Sequence, residues 1–344
     1  MRLRLPLATV FAFVLAANAH AGEAYQTGLV ELNILDTDGD RHMSGYLWYP
    51  TQETEGKTPA LGGAVWEGIS VIPNAEPTVG RYPFLVMSHG MYGNARNQAW
   101  LASALTKTGY VVAAINHPGT STFQRDPDQR RELWQRPRDI SRAIDHVLGS
   151  SEIGSLVDRD RIFMAGHSLG GFTAVALAGG RYDAAKMDAF CAANPGELVC
   201  GIFDDWDIAK TPADRAKMTG DLSDARISGF AVFDLGGTQS FSTQSLGKID
   251  RPMLVIGAPL DVVGLDLDRE SRALVAALPK GNVRYIEPAT LSHFDFLGVC
   301  TPNALQILKE EEPEDVFVCE QGREQRRADH DKIVEEVASF FAGL

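Results

Sequence analysis

Arg161-Ile162-Phe163-Met164-Ala165-Gly166-His167-Ser168-Leu169-Gly170-Gly171-Phe172 passes from a short apolar run through a glycine-flanked serine into a stretch of small residues ending near Ala178. Strand, sharp turn, serine, helix is the pattern of a nucleophile elbow. The glycines remove Cβ atoms that would clash at such a turn, so Ser168 can sit in a strained backbone conformation with its hydroxyl outward. The opening helix adds oriented N–H groups beside it. A bare helix-capping serine would also fit this turn, but it would need no partners elsewhere in the chain.

Outward from the elbow the pattern is regular. Upstream, Phe84 to Met87 reads as a buried strand, Asn94 to Thr108 as a helix, Val111 to Ile115 as a strand entering Asn116-His117-Pro118-Gly119, and Arg138 to Leu148 as a helix. Downstream come strands Ile227 to Phe233 and Pro252 to Ile256, a helix Glu270 to Ala277, a strand Val283 to Ile286 and a closing helix Asp331 to Phe341. Such alternation predicts an α/β fold with a mainly parallel sheet covered by helices on both faces. Before it, Leu29 to Leu35 and Met43 to Tyr49 alternate around Asp38-Gly39-Asp40 and predict an N-terminal β-hairpin. Thr51 to Gly80 reads as a long polar, glycine-rich connection. Arg181 to Asp224 interrupts the rhythm and reads either as a cap over the site or as a surface excursion.

Arg2 and Arg4, the apolar run Leu5 to Ala17 and Ala19-His20-Ala21 read as a signal peptide spanning 1–21, which predicts a periplasmic or secreted protein. The apolar run is short for a membrane span, and no cysteine follows it to accept a lipid, so no stable membrane anchor is expected. Residues 22–344 are long enough for one large core and read as a single domain. The net charge of −13 becomes −15 once the two arginines are gone, a balance that repels nucleic acid and anionic lipid.

Four cysteines in an exported chain favour two disulfides, and of three possible pairings Cys191 with Cys200 and Cys300 with Cys319 each close a local loop. No zinc-ligand spacing is present. Asp36, Asp38 and Asp40 hint at a calcium loop, but Arg41 and Leu47 stand where glycine and glutamate would be required.

A serine hydroxyl needs a base, and the base needs an orienting group. Elbow enzymes supply them in the order serine, acid, histidine. Two histidines lie downstream. His293, in Leu291-Ser292-His293-Phe294-Asp295-Phe296, follows the last strand; His330 reads as a solvated residue at the start of the final helix. Asp261, beyond the strand in Leu254-Val255-Ile256-Gly257-Ala258-Pro259-Leu260-Asp261, is the expected orienter, with Asp234 at the end of the preceding strand as the alternative. Asp266 and Asp268 read as exposed helix-start residues. Oxyanion donors are expected at the Leu169 N–H and, in Ser88-His89-Gly90-Met91-Tyr92-Gly93, at the Met91 N–H. His89 and His167 read as structural, satisfying backbone groups at buried turns. Trp100, Phe123, Trp134, Phe241 and Phe294 either line an acyl pocket or fill the core.

The segments YLWYP, YPFLVMSHGMYGN, GYVVAAINHPGT, RPRDISRAIDHVL, VDRDRIFMAGHSLGG, PMLVIGAPLDVV and LSHFDFLGVC, in this order, resemble the predicted dienelactone hydrolase branch of the α/β-hydrolases, a branch related to the platelet-activating-factor acetylhydrolases. The resemblance runs from about Gly28 to the final helix. It implies the α/β-hydrolase fold, a nucleophile at Ser168, an acid at Asp261, a base at His293 and oxyanion donors at Met91 and Leu169. Founding members use a cysteine nucleophile where this chain has serine, so the dienelactone name does not carry over as substrate. The stretch after Asp261 also lacks the proline common in related chains.

The expectation is a serine esterase that cleaves a small-molecule carboxylic ester through an acyl-enzyme, without metal or organic cofactor. Lactone or amide hydrolysis by the same triad, or a binding protein that keeps only the fold, are the alternatives.

Overall fold

The computed structural model describes residues 25–35, 41–150, 152–260 and 262–344. The expected signal peptide and the aspartates at 36, 38 and 40 lie outside them. Ten strands form one sheet among the described residues: β1 (Gln26–Ile34), β2 (Met43–Thr51), β3 (Thr58–Ala60), β4 (Ile69–Pro73), β5 (Tyr82–Ser88), β6 (Val111–Ile115), β7 (Val157–His167), β8 (Ile227–Phe233), β9 (Met253–Ile256) and β10 (Val283–Ile286). Their order is β10-β9-β8-β7-β5-β6-β2-β1-β4-β3. From β6 to β10 every neighbour is parallel. The hairpin β1–β2 joins antiparallel, with Leu47 opposite Ala113 across to β6.

The central strands are apolar throughout because both faces are covered. On β5, Phe84 and Val86 enter one core with Trp134, Ile140 and Ile144; Leu85 and Met87 enter the other with Leu101, Leu105 and Phe341. Period-two geometry thus divides one apolar run between two helical layers.

Three differences from the sequence reading have local causes. The expected connection Thr51 to Gly80 contains the edge strand β3 and its neighbour β4, too short and too interrupted by Pro59 and Pro73 to show a strand pattern. The helix expected from Asn94 begins at Ala99. The Asn94 side chain accepts the Arg96 N–H (2.9 Å), Asn116 accepts the Ala95 N–H (2.8 Å) and Asn97 accepts the Asn94 N–H, so side chains hold this stretch as a turn. The last helix runs Arg323–Ala342, which puts His330 inside it, on the buried face, and not in solvent at its start.

The 181–224 segment folds into helices Ala184–Ala193, Leu198–Asp205 and Pro212–Thr219. Disulfides join Cys191 to Cys200 and Cys300 to Cys319, the pairing local loop closure favoured.

Candidate active site

Ser168 stands between β7 and the helix Leu169–Leu177 at φ 55° and ψ −119°, a conformation costly for a side chain with a Cβ. The surroundings enforce it. A Cβ at Gly166 would overlap the Gly170 carbonyl oxygen, and one at Gly170 would overlap the Ser88 carbonyl oxygen. The two glycines therefore let the turn close against itself and against the end of β5.

Backbone bonds gather the partners. The Ser168 N–H donates to the Phe233 carbonyl (2.9 Å), setting the elbow against the end of β8, and Asp234 is the next residue. His167, the residue before the serine, donates from Nε2 to the His293 carbonyl (2.8 Å), and the two rings lie 4.6 Å apart. His293 Nδ1 donates to Asp234 Oδ2 (2.7 Å), with both side chains buried. The other carboxylate oxygen of Asp234 accepts the Ala258 N–H (3.0 Å).

The carboxylate on the His293 ring is therefore that of Asp234, the alternative acid. Asp261 lies outside the described residues, and the single Nδ1 hydrogen of His293 points to Asp234, the alternative. The loop after β9 supplies the Ala258 N–H that steadies this carboxylate at the end of β8.

Leu169 opens its helix, so its N–H has no acceptor one turn back. The Met91 turn is fixed around it: Tyr92 N–H donates to Thr120 O (2.9 Å) and Gly93 N–H to Gly90 O (3.2 Å). A Cβ built on Gly90 would meet Ser168 Cβ at 3.1 Å, which puts this turn against the nucleophile. His89 holds the turn from inside. Its Nε2 accepts the His117 N–H (3.0 Å), so Nδ1 carries the proton and donates to Gly90 O (2.7 Å). Burial pushes the His89 and His167 rings well below the ordinary imidazole range, and both stay neutral.

Under this turn lies a buried polar network whose connections are set by tertiary packing. Arg136 donates to Thr173 Oγ1 (3.1 Å), Thr120 Oγ1 (2.7 Å), Ser88 Oγ (3.1 Å) and the His89 carbonyl. Thr173 Oγ1 in turn donates to Leu169 O (3.0 Å). Asp139 binds Arg41 through both oxygens (2.8 Å each) and accepts from His117 Nδ1 (3.0 Å). Burial drives His117 down to about 3. Burial also works against the Asp139 anion, but Arg41 and His117 outweigh it and hold the carboxyl at about 2.

Of the five aromatics, Trp134 and Phe241 are core, Phe294 meets the His293 ring edge-on at 5.0 Å, and Trp100 and Phe123 line a cavity of about 490 Å³ beside the site. His330, unlike the expectation, stacks on Trp100 at 3.6 Å and donates to Asp295 O (2.7 Å). The 181–224 segment touches the site through Trp206, whose ring is 5.3 Å from Tyr92. No group of metal-ligand side chains occurs among the described residues.

Sheet order, elbow and the His293–Asp234 pair together define the α/β-hydrolase fold. Residues 83–198 match the family model described as serine aminopeptidase, S33. The chain is 30% identical over 178 residues to a cutinase of Thermobifida fusca (strain YX), which covers 51% of this chain and 53% of that one. It is 31% identical over 107 residues to a bis(hydroxyethyl) terephthalate hydrolase of Streptomyces coelicolor, covering 31% and 29%. The chain spans about half the length of the cutinases it matches over the longest stretch. A ferulic acid esterase from Streptomyces cinnamoneus shares the fold, with a TM-score of 0.62 at 18% identity over 94% of this chain and 91% of that one.

Proposed function

We propose that this chain is a serine hydrolase of carboxylic esters with Ser168 as nucleophile, His293 as base and Asp234 as the orienting acid. The observation that carries the reading is the 2.7 Å bond from His293 Nδ1 to Asp234 at the elbow. That bond leaves Nε2 as the free lone pair, the form a general base needs. Ser168 Oγ attacks the ester carbonyl and its proton passes to His293 Nε2, while Asp234 stabilises the imidazolium. The developing oxyanion lies between the Leu169 and Met91 N–H groups. Collapse expels the alcohol, which takes the proton from His293; water then repeats the cycle on the acyl-enzyme.

The partial cutinase match and the ester-cleaving relatives support an ester over an amide. The ordered motifs support a place in the predicted dienelactone hydrolase branch. The two disulfides and the amino-terminal pattern at 1–21 support export of a single domain, 22–344, with 181–224 acting as a cap. No helix among the described residues is long and apolar enough to cross a membrane.

The test is hydrolysis of p-nitrophenyl esters of increasing acyl length by the mature chain beside Ser168→Ala. Turnover abolished in the variant, with folding preserved, is expected. Retention of most activity by the variant would remove Ser168 from the mechanism.

A further inference from the structure

The 490 Å³ cavity adjoins both halves of the site. Its lining includes Asn94, just past the Met91 turn, and Gly298 and Val299, just past the His293 loop. Thr122, also in its wall, donates from N to Gly93 O (2.8 Å) and from Oγ1 to Tyr92 O (2.6 Å), tying the cavity to the turn. The opposite wall is the 61–69 loop, held by the Glu67 N–H on Val299 O (2.8 Å) and by the bridge between Trp66 and Cys300.

The lining is mostly apolar and includes the aromatic residues Trp66, Trp100 and Phe123. It holds two charged side chains, and their states differ. Glu67 is neutralised by Arg323 and Arg327. Arg96 pairs with no carboxylate among the described residues. Its Nε and Nη2 donate to the Tyr46 hydroxyl (3.2 and 3.0 Å), and the guanidinium lies 5.7 Å from the Tyr46 ring centroid and 5.5 Å from that of Phe123. Two rings and a phenol oxygen thus fix the direction of a cation whose charge is unspent. Phe123 itself is 61% exposed, an apolar surface kept at the cavity mouth.

In a chain of net charge −13 an anionic ligand is repelled unless a local cation receives it. We infer that this cavity receives a carboxylate-bearing apolar arm of the substrate, with Arg96 on the carboxylate and Trp66 and Trp100 against the apolar part. The inference rests on the ester hydrolase reading and names the class of ester, one that carries a free acid on an aromatic or aliphatic arm. A single carboxylate suits the remaining guanidinium N–H groups.

The test uses 4-phenylbutyrate and its neutral counterpart 4-phenylbutanol in titration calorimetry at low ionic strength, with the native chain and Arg96→Gln. The native chain binds the acid more tightly than the alcohol. Arg96→Gln weakens the acid about fivefold and leaves the alcohol unchanged, the scale of one solvent-accessible charge contact. Equal affinity of the acid for both chains, equal loss for acid and alcohol, or no binding of the acid overturns the inference. Turnover of p-nitrophenyl acetate by the native chain is measured in parallel. Its absence defeats the ester hydrolase reading, whereas turnover with an acid affinity indifferent to Arg96 defeats the cavity assignment alone.

Discussion

Ser88 Oγ lies 2.9 Å from Nε2 of His117, and the three side chains of Ser88, His117 and Asp139 form a serine–histidine–aspartate chain with no solvent exposure. Connectivity alone does not make a nucleophile. Ser88 Oγ also accepts from Arg136 Nη2, and the cation draws electron density from the oxygen that would attack. His117, pushed down to about 3 by burial, is a poor proton acceptor. A fluorophosphonate probe is therefore expected to label Ser168 alone; mass spectrometry of the labelled peptide decides, and adduct at Ser88 in folded protein would contradict it.

The proposed acid, Asp234, rests on its bond to His293 Nδ1. Asp234→Asn is expected to lower kcat/KM by about 10³- to 10⁴-fold, because the imidazole loses the partner that sets its tautomer. Asp261→Asn is expected to stay within about threefold of the native value. Steady-state kinetics on one p-nitrophenyl ester checks both, and the opposite ranking returns the role to Asp261.

Arg136 joins the two proposed oxyanion donors from below, through the His89 carbonyl on one side and through Thr173 to Leu169 O on the other. Arg136→Met leaves the buried His89 carbonyl without this donor and removes the bond that holds Thr173 Oγ1, which itself donates to Leu169 O. It is expected to lower unfolding free energy by about 3 kcal/mol and to reduce kcat about tenfold more than it changes KM, since the donors act on the transition state. Denaturant unfolding and the separation of kcat from KM measure the two effects.

Glu270 sets a pH dependence. Burial raises its carboxyl to about 7, against the N–H groups of Gly237 and Thr238 that favour the anion. The folded pKa lies above the unfolded value, so the proton bound in the folded state is released on unfolding. Its contribution is full below about pH 4.5 and is lost as pH rises through about 7. Relative to Glu270→Gln, the native chain is expected to lose up to about 3 kcal/mol of stability between those limits. Urea unfolding of both chains at pH 4.5 and pH 8 checks the difference; parallel curves would rule it out. Because Thr238 N–H donates to Glu270 Oε2 (2.7 Å) four residues after Asp234, the same change bears on the loop that carries the acid.

Much of this was legible from local pattern. The elbow at Ser168 and the strands of β8 and β10 depend on residues adjacent in sequence, where glycine placement and apolar runs speak directly. The histidine loop was legible from its place after the last strand. The helix around His330 was misplaced because its first turns, Arg323 to Asp329, are charged, while Arg326 and Asp329 are in fact buried and paired.

The amino-acid sequence by itself determined a parallel α/β architecture with a strained serine turn, since backbone sterics and hydrophobic period act over a few residues. Only the tertiary structure decided which carboxylate faces His293 and that Arg96, in the wall of a cavity, pairs with no carboxylate among the described residues. Asp234 and Asp261 each follow a buried strand. Asp234 meets the His293 ring because β8 ends beside the elbow and the loop after β9 lends it the Ala258 N–H, relations that form only when distant segments pack.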